Sequence, residues 1–140
     1  MTSIRRLACS AIATLVLATG AAPSNAAQIT PAARHDVDQL LSRLASSNCK
    51  FNRNGSWYSA SEARAHLEHK YQYALDKNLL ASAEDFIRVV GTKSSSTDRS
   101  YSVQCGNAPA QPSAAWLGAQ LSELRTPVAP PAAAPGKPAH

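Results

Sequence analysis

Glu62, His66 and Lys70 are spaced four residues apart, so on a helix they line one face. An acid, an imidazole and an amine in one row can grip a charged ligand or move a proton. Arg53 upstream and the run Ser94-Ser95-Ser96 downstream extend the set. Together these residues would form a polar pocket for a small anion or a peptide terminus, because cations and hydroxyls hold carboxylates and phosphates through charge-assisted hydrogen bonds. A plainer reading stands beside this one. Glu62 follows Ser59 by three residues, the spacing of a helix-capping box, and Lys70 suits a solvated helix face with i,i+4 pairing.

Other chemistries find less support. His66 and His69 are three residues apart and Glu62 shares their face, but zinc sites need three or four convergent ligands with an orienting shell. His35 falls on a different helix, and His66-Leu67-Glu68-His69 is not the HExxH arrangement. No metal and no cofactor is expected. Serines are abundant, yet no GxSxG elbow presents one as a nucleophile. The expectation is therefore a non-catalytic binding or protein-interaction module for an envelope protein, a peptide or a small anionic ligand. The alternative is a minor, hydrolase-like cell-envelope enzyme using His66 with Glu62.

Both readings place the protein outside the cytoplasm. Arg5 and Arg6 precede an uncharged apolar run, Leu7 to Gly20, and Pro23 breaks the segment before Ser24-Asn25-Ala26. That order is the pattern of a cleavable signal peptide spanning residues 1–26. The run of about 14 residues is short of the roughly 20 needed to span a bilayer. Ordinary Sec-dependent export from the cytoplasm follows, with no membrane span after cleavage. Losing Arg5 and Arg6 lowers the formal net charge from +5 to +3. The excess is mild and spread without a basic run, which excludes nucleic acid as a partner. Cleavage also removes Cys9 and leaves Cys49 and Cys105, an even pair that in an exported domain reads as one disulfide.

The elements that must position these residues can be read in order. Thr30 caps and Pro31 opens a helix with an apolar stripe of Ala33, Val37, Leu40, Leu41 and Leu44. From Cys49 to Ser59 the pattern alternates around Asn54-Gly55, the strongest short-range hairpin signal. The capping box at Ser59 starts a helix to about Asp76 that buries Ala63, Leu67, Tyr71 and Ala74. A weaker box at Ser82 starts a short helix carrying Phe86, Ile87, Val89 and Val90, with Gly91 as its stop. Tyr101 to Cys105 alternates as a strand, Gly106 to Pro112 reads as a loop, and Ser113 caps a last helix with Trp116, Leu117, Leu121 and Leu124. Residues 126–140 are a Pro/Ala-rich tail expected to be disordered. The class is α+β: one domain over residues 27–125, with a hairpin plus one later strand forming a small antiparallel sheet packed by about four helices. A Cys49–Cys105 bond would make the first and last strands neighbours. Most aromatic residues should fill the core, with Tyr73 as an exposed anchor for a protein partner.

Several of these segments together resemble the YfeK-like family of small exported proteobacterial proteins. They are Cys49-Lys50-Phe51-x-Arg53-Asn54-Gly55-x-Trp57-Tyr58-Ser59, Glu62-Ala63-x3-Leu67-x2-Lys70, Phe86-Ile87, Ser94-Ser95-Ser96, Tyr101-x-Val103-x-Cys105 and Trp116-Leu117. The resemblance runs from about Leu40 to Leu124. It implies a Gram-negative periplasm and carries no established activity. The chain departs from the pattern at Thr97-Asp98, where the resemblance calls for a small residue and glycine.

The intact mass of protein recovered from the periplasm of an expressing cell should match a chain starting at Ala27 and lighter by two hydrogens. A mass that retains residues 1–26 would contradict the export reading.

Overall fold

The computed structural model describes residues 28–127; the expected signal segment and nearly all of the Pro/Ala-rich tail lie outside them. Helix α1 (Pro31–Ser46) starts where Thr30 Oγ1 accepts from the Ala33 amide at 3.2 Å. Its buried residues are Ala33, Val37, Leu40, Leu41 and Leu44, the stripe that 3.6-residue periodicity demands. Strands β1 (Cys49–Arg53) and β2 (Ser56–Tyr58) follow as a hairpin. Asn54 and Gly55 both take positive φ, 56° and 91°, the condition for a two-residue turn matched to strand twist.

Helix α2 (Ala60–Asp76) opens on a complete capping box. Glu62 N donates to Ser59 Oγ, and Ser59 N donates to Glu62 Oε2 at 2.9 Å. Helix α3 (Ala83–Phe86), capped by Ser82, runs on into a wider π-helical turn over Ile87–Gly91. The helix does end at Gly91, but close packing rather than left-handed backbone requires the glycine. A Cβ there would stand 2.5 Å from Leu117 Cδ1, a side chain with no exposure of its own.

Strand β3 (Ser102–Cys105) pairs antiparallel with β1, in the register Cys49 to Cys105 and Phe51 to Val103. The expected sheet of a hairpin plus one strand gains a fourth member. Gln111–Pro112, within the segment read as loop, forms β4 on the outer edge of β3, giving the order β2-β1-β3-β4. Proline is tolerated there because an edge strand has one unpaired side. Helix α4 (Ser113–Arg125) begins one residue earlier than a Ser113 cap would place it. Pro112 holds the cap position, while Ser113 is inside and buried, its amide donating to Tyr101 O at 3.0 Å.

Cys49, Phe51 and Val103 face the helices, where Phe51 meets the Trp116 ring edge-on at 5.6 Å. No helix among the described residues is long and apolar enough to cross a membrane. Cys49 and Cys105 are bonded across directly paired positions, 4.0 Å apart at Cα. The bond closes a loop of 56 residues.

Replacing both cysteines with serine should therefore lower the unfolding free energy by about 4 kcal/mol, measured by urea denaturation. A loss under about 1 kcal/mol would mean that the loop is already ordered in the unfolded chain.

Candidate functional site

The β1–β3 register, continued one pair past Asn52–Ser102, puts Arg53 across from Tyr101. Both residues point toward α2, as Phe51 does two residues earlier, because side chains on one face of a strand recur every second position. His66 on α2 reaches down between them. Around this meeting point lies a pocket of about 170 Å³. Phe51, Ala63 and Leu67 form its apolar floor, Tyr58 and Tyr101 form walls, and Arg53, His66 and Glu62 supply the ionisable groups beside polar Asn52 and Ser113.

A continuous hydrogen-bond chain crosses the site. Arg53 Nη1 lies 2.7 Å from His66 Nδ1, and His66 Nε2 lies 3.0 Å from the Tyr101 hydroxyl. A guanidinium only donates, so Nδ1 must accept; the imidazole is neutral and its proton sits on Nε2, donated to Tyr101. Lys70 Nζ closes the chain, donating to Val90 O at 2.9 Å, Lys93 O at 2.8 Å and the Tyr101 hydroxyl at 3.4 Å. The three donors of the ammonium are thereby used. Arg53 also lies over the Tyr58 ring, 5.1 Å from its centre.

The chain belongs to DUF5329. That family, whose function is unknown, matches residues 31–125, nearly all of the described domain. No curated protein and no solved structure matches the chain.

Electrostatics in this DUF5329 domain follow from crowding cations around a half-buried ring. Desolvation, with the charges of Arg53, Lys70 and His69 added, pushes His66 down to about 4. Burial lowers Lys70 to about 8, against the two carbonyls that favour its charged form. Burial also raises Tyr101, opposed in part by Arg53 and by a hydrogen bond from Ser94. Glu62 is held low by its bonds from Ser59.

The residues singled out in the sequence separate into three groups. Arg53, Glu62 and His66 line the pocket. Lys70 does not line it; it ties α2 to the π-helical turn and to the loop after it. Ser94 is buried behind Tyr101 and shares a hydrogen bond of 3.1 Å with Ser96, while Ser95 and Ser96 are exposed and none of the three lines the pocket. His66 and Glu62 do not pair, since both ring nitrogens are taken by Arg53 and Tyr101, and Glu62 bonds to Ser59. Among the described residues no three of His, Cys, Asp and Glu come together as a metal site.

Sequence reasoning gave Tyr58 and Tyr101 to the core and left Ser113 as a cap, yet all three line the pocket. The signal for Tyr101 was present: its strand alternation puts it on the face of Cys105, two pairs beyond Val103. At Asp98, where the resemblance calls for glycine, φ is 58°. The left-handed turn that glycine favours is thus kept by aspartate, which pairs with Lys93 and donates its amide to Ser94 O at 3.0 Å.

The depressed His66 sets a sign for acid stability. Above pH 6.5 folded and unfolded chains both hold it neutral, so its contribution is complete. Below 6.5 the unfolded chain takes up a proton that the folded site refuses until about pH 4, and stability is lost across that window. Urea unfolding at pH 7 and 4.5 should show a smaller loss for His66→Gln than for wild type. Equal losses would contradict the assignment.

Proposed function

We propose that this protein is a non-catalytic periplasmic binding module whose pocket takes a small ligand carrying a carboxylate and one apolar group. The observation that carries the reading is Arg53. It stands at the edge of an apolar pocket with no carboxylate in ion-pair contact among the described residues. One guanidinium nitrogen is committed to His66, which fixes its position. The rest of the planar fork is left for a ligand, and guanidinium pairs with carboxylate in a two-point geometry. The size of the pocket sets the apolar group, since an engineered cavity of about 150 Å³ holds benzene. An isobutyl or phenyl group fits.

His66 serves here as a positioning residue. A general base must reach its substrate's proton, and both ring nitrogens are already engaged within the protein. The periplasmic location rests on the signal pattern of residues 1–26, on the resemblance to YfeK-like exported proteins, and on the disulfide, which suits an oxidising compartment.

Calorimetric titration with 4-methylpentanoate should give saturable binding, and Arg53→Gln should weaken it by about tenfold or more, the worth of a hydrogen-bonded charge. Binding that Arg53→Gln leaves intact would sink the reading.

A further inference from the structure

The pocket has a second charged wall. Glu62 lines it from α2, on the same cavity as Arg53 of β1. The capping box occupies only one of its carboxylate oxygens. Oε2 accepts both from Ser59 N at 2.9 Å and from Ser59 Oγ at 2.7 Å, and Oε1 has no hydrogen-bond partner among the described residues. The two bonds to Oε2 also hold the carboxylate in place and keep it ionised, so Oε1 is a fixed, negatively charged acceptor. Arg64 pairs with Glu68 on the same helix, and among the described residues no cation is in ion-pair contact with Glu62.

One small cavity therefore offers a free guanidinium fork, a free carboxylate oxygen and an apolar floor of Phe51, Ala63 and Leu67. A simple carboxylic acid would answer the first and third of these and leave Glu62 facing its own negative charge. Like charges brought into one site cost affinity. A ligand with an ammonium beside its carboxylate answers all three. We infer that the ligand of this pocket is an α-amino acid with a small apolar side chain, its carboxylate on Arg53, its ammonium on Glu62 Oε1 and its side chain on the floor. This rests on the pocket being a carboxylate site and narrows it to a zwitterion. The volume of about 170 Å³ accommodates the side chain of leucine, valine or phenylalanine. Phe51, Ala63 and Leu67 give a charged side chain no partner where the ligand's side chain would lie.

The ligand's charges can come from a free amino acid or from the two ends of a short peptide. The pocket favours the former, because a volume of about 170 Å³ matches one apolar side chain. Three probes separate the contributions: L-leucine, 4-methylpentanoate, which lacks the ammonium, and 3-methylbutylamine, which lacks the carboxylate. Titrated into the full processed chain, leucine should bind about tenfold or more tightly than either. Leucyl-leucine should bind more weakly than leucine. Glu62→Gln keeps the capping box, since glutamine serves at that position, and should abolish the preference for leucine over 4-methylpentanoate. The inference is overturned if 4-methylpentanoate binds as tightly as leucine, if the dipeptide binds more tightly than the free amino acid, or if Glu62→Gln retains the preference. In the first of these cases the carboxylate reading survives. If none of the probes binds, both readings fall together.

Discussion

The pairing of β1 with β3 is the constraint on which the rest of the structure depends. Cys49 and Cys105 bond at one end of that pair, and every later pair is counted from them. Two steps on, Phe51 and Val103 enter the core beneath Trp116. Two more steps bring Arg53 and Tyr101 to the rim of the pocket. A slip of one residue would turn Arg53 to the opposite face, where Lys50 and Trp57 lie, and the site would not exist. The covalent bond thus does more than reduce the entropy of the unfolded chain; it selects the register that assembles the pocket.

Helix α2 contributes the opposite wall, and its polar row does two different jobs. Near the helix start, Glu62 and His66 face the pocket. One turn further, Lys70 turns its ammonium onto backbone carbonyls of the π-helical turn and of the loop after it. The last carbonyls of a helix have no intrahelical partner, and the lysine supplies a donor to that of Val90. Burial, with the cations flanking His66, makes its protonation costly, so the imidazole stays neutral and can receive the Arg53 hydrogen bond. Positioning of the guanidinium and neutrality of the ring are two descriptions of one balance.

Much of this was legible in the sequence, and the parts that were not share a physical cause. Local signals spoke clearly: Thr30 and Ser59 as caps, Asn54-Gly55 as a turn, the stripe of α1, and two cysteines for one disulfide. The i,i+4 spacing also put Glu62, His66 and Lys70 on one face. It could not say that this face divides between a pocket and two carbonyls, because the partners of Lys70 are backbone atoms twenty or more residues away. Strand β4 is two residues long and ends in proline, so it left no alternation to read; pairing with β3 alone defines it. Gly91 carried the right boundary with the wrong reason, since the approach of Leu117 comes from another helix. Tyr101 looked like core because it is core, and its hydroxyl emerges at the site only through the register.

The central claim is that register, burial and cation crowding together hold His66 as a neutral acceptor for Arg53. Nitrogen-15 NMR of the imidazole, followed from pH 8 to pH 4 in the oxidised protein, tests it most directly. The account predicts a single neutral tautomer with the proton on Nε2, persisting until His66 titrates near pH 4. An ordinary midpoint near 6.5, with both tautomers in exchange above it, would contradict the account.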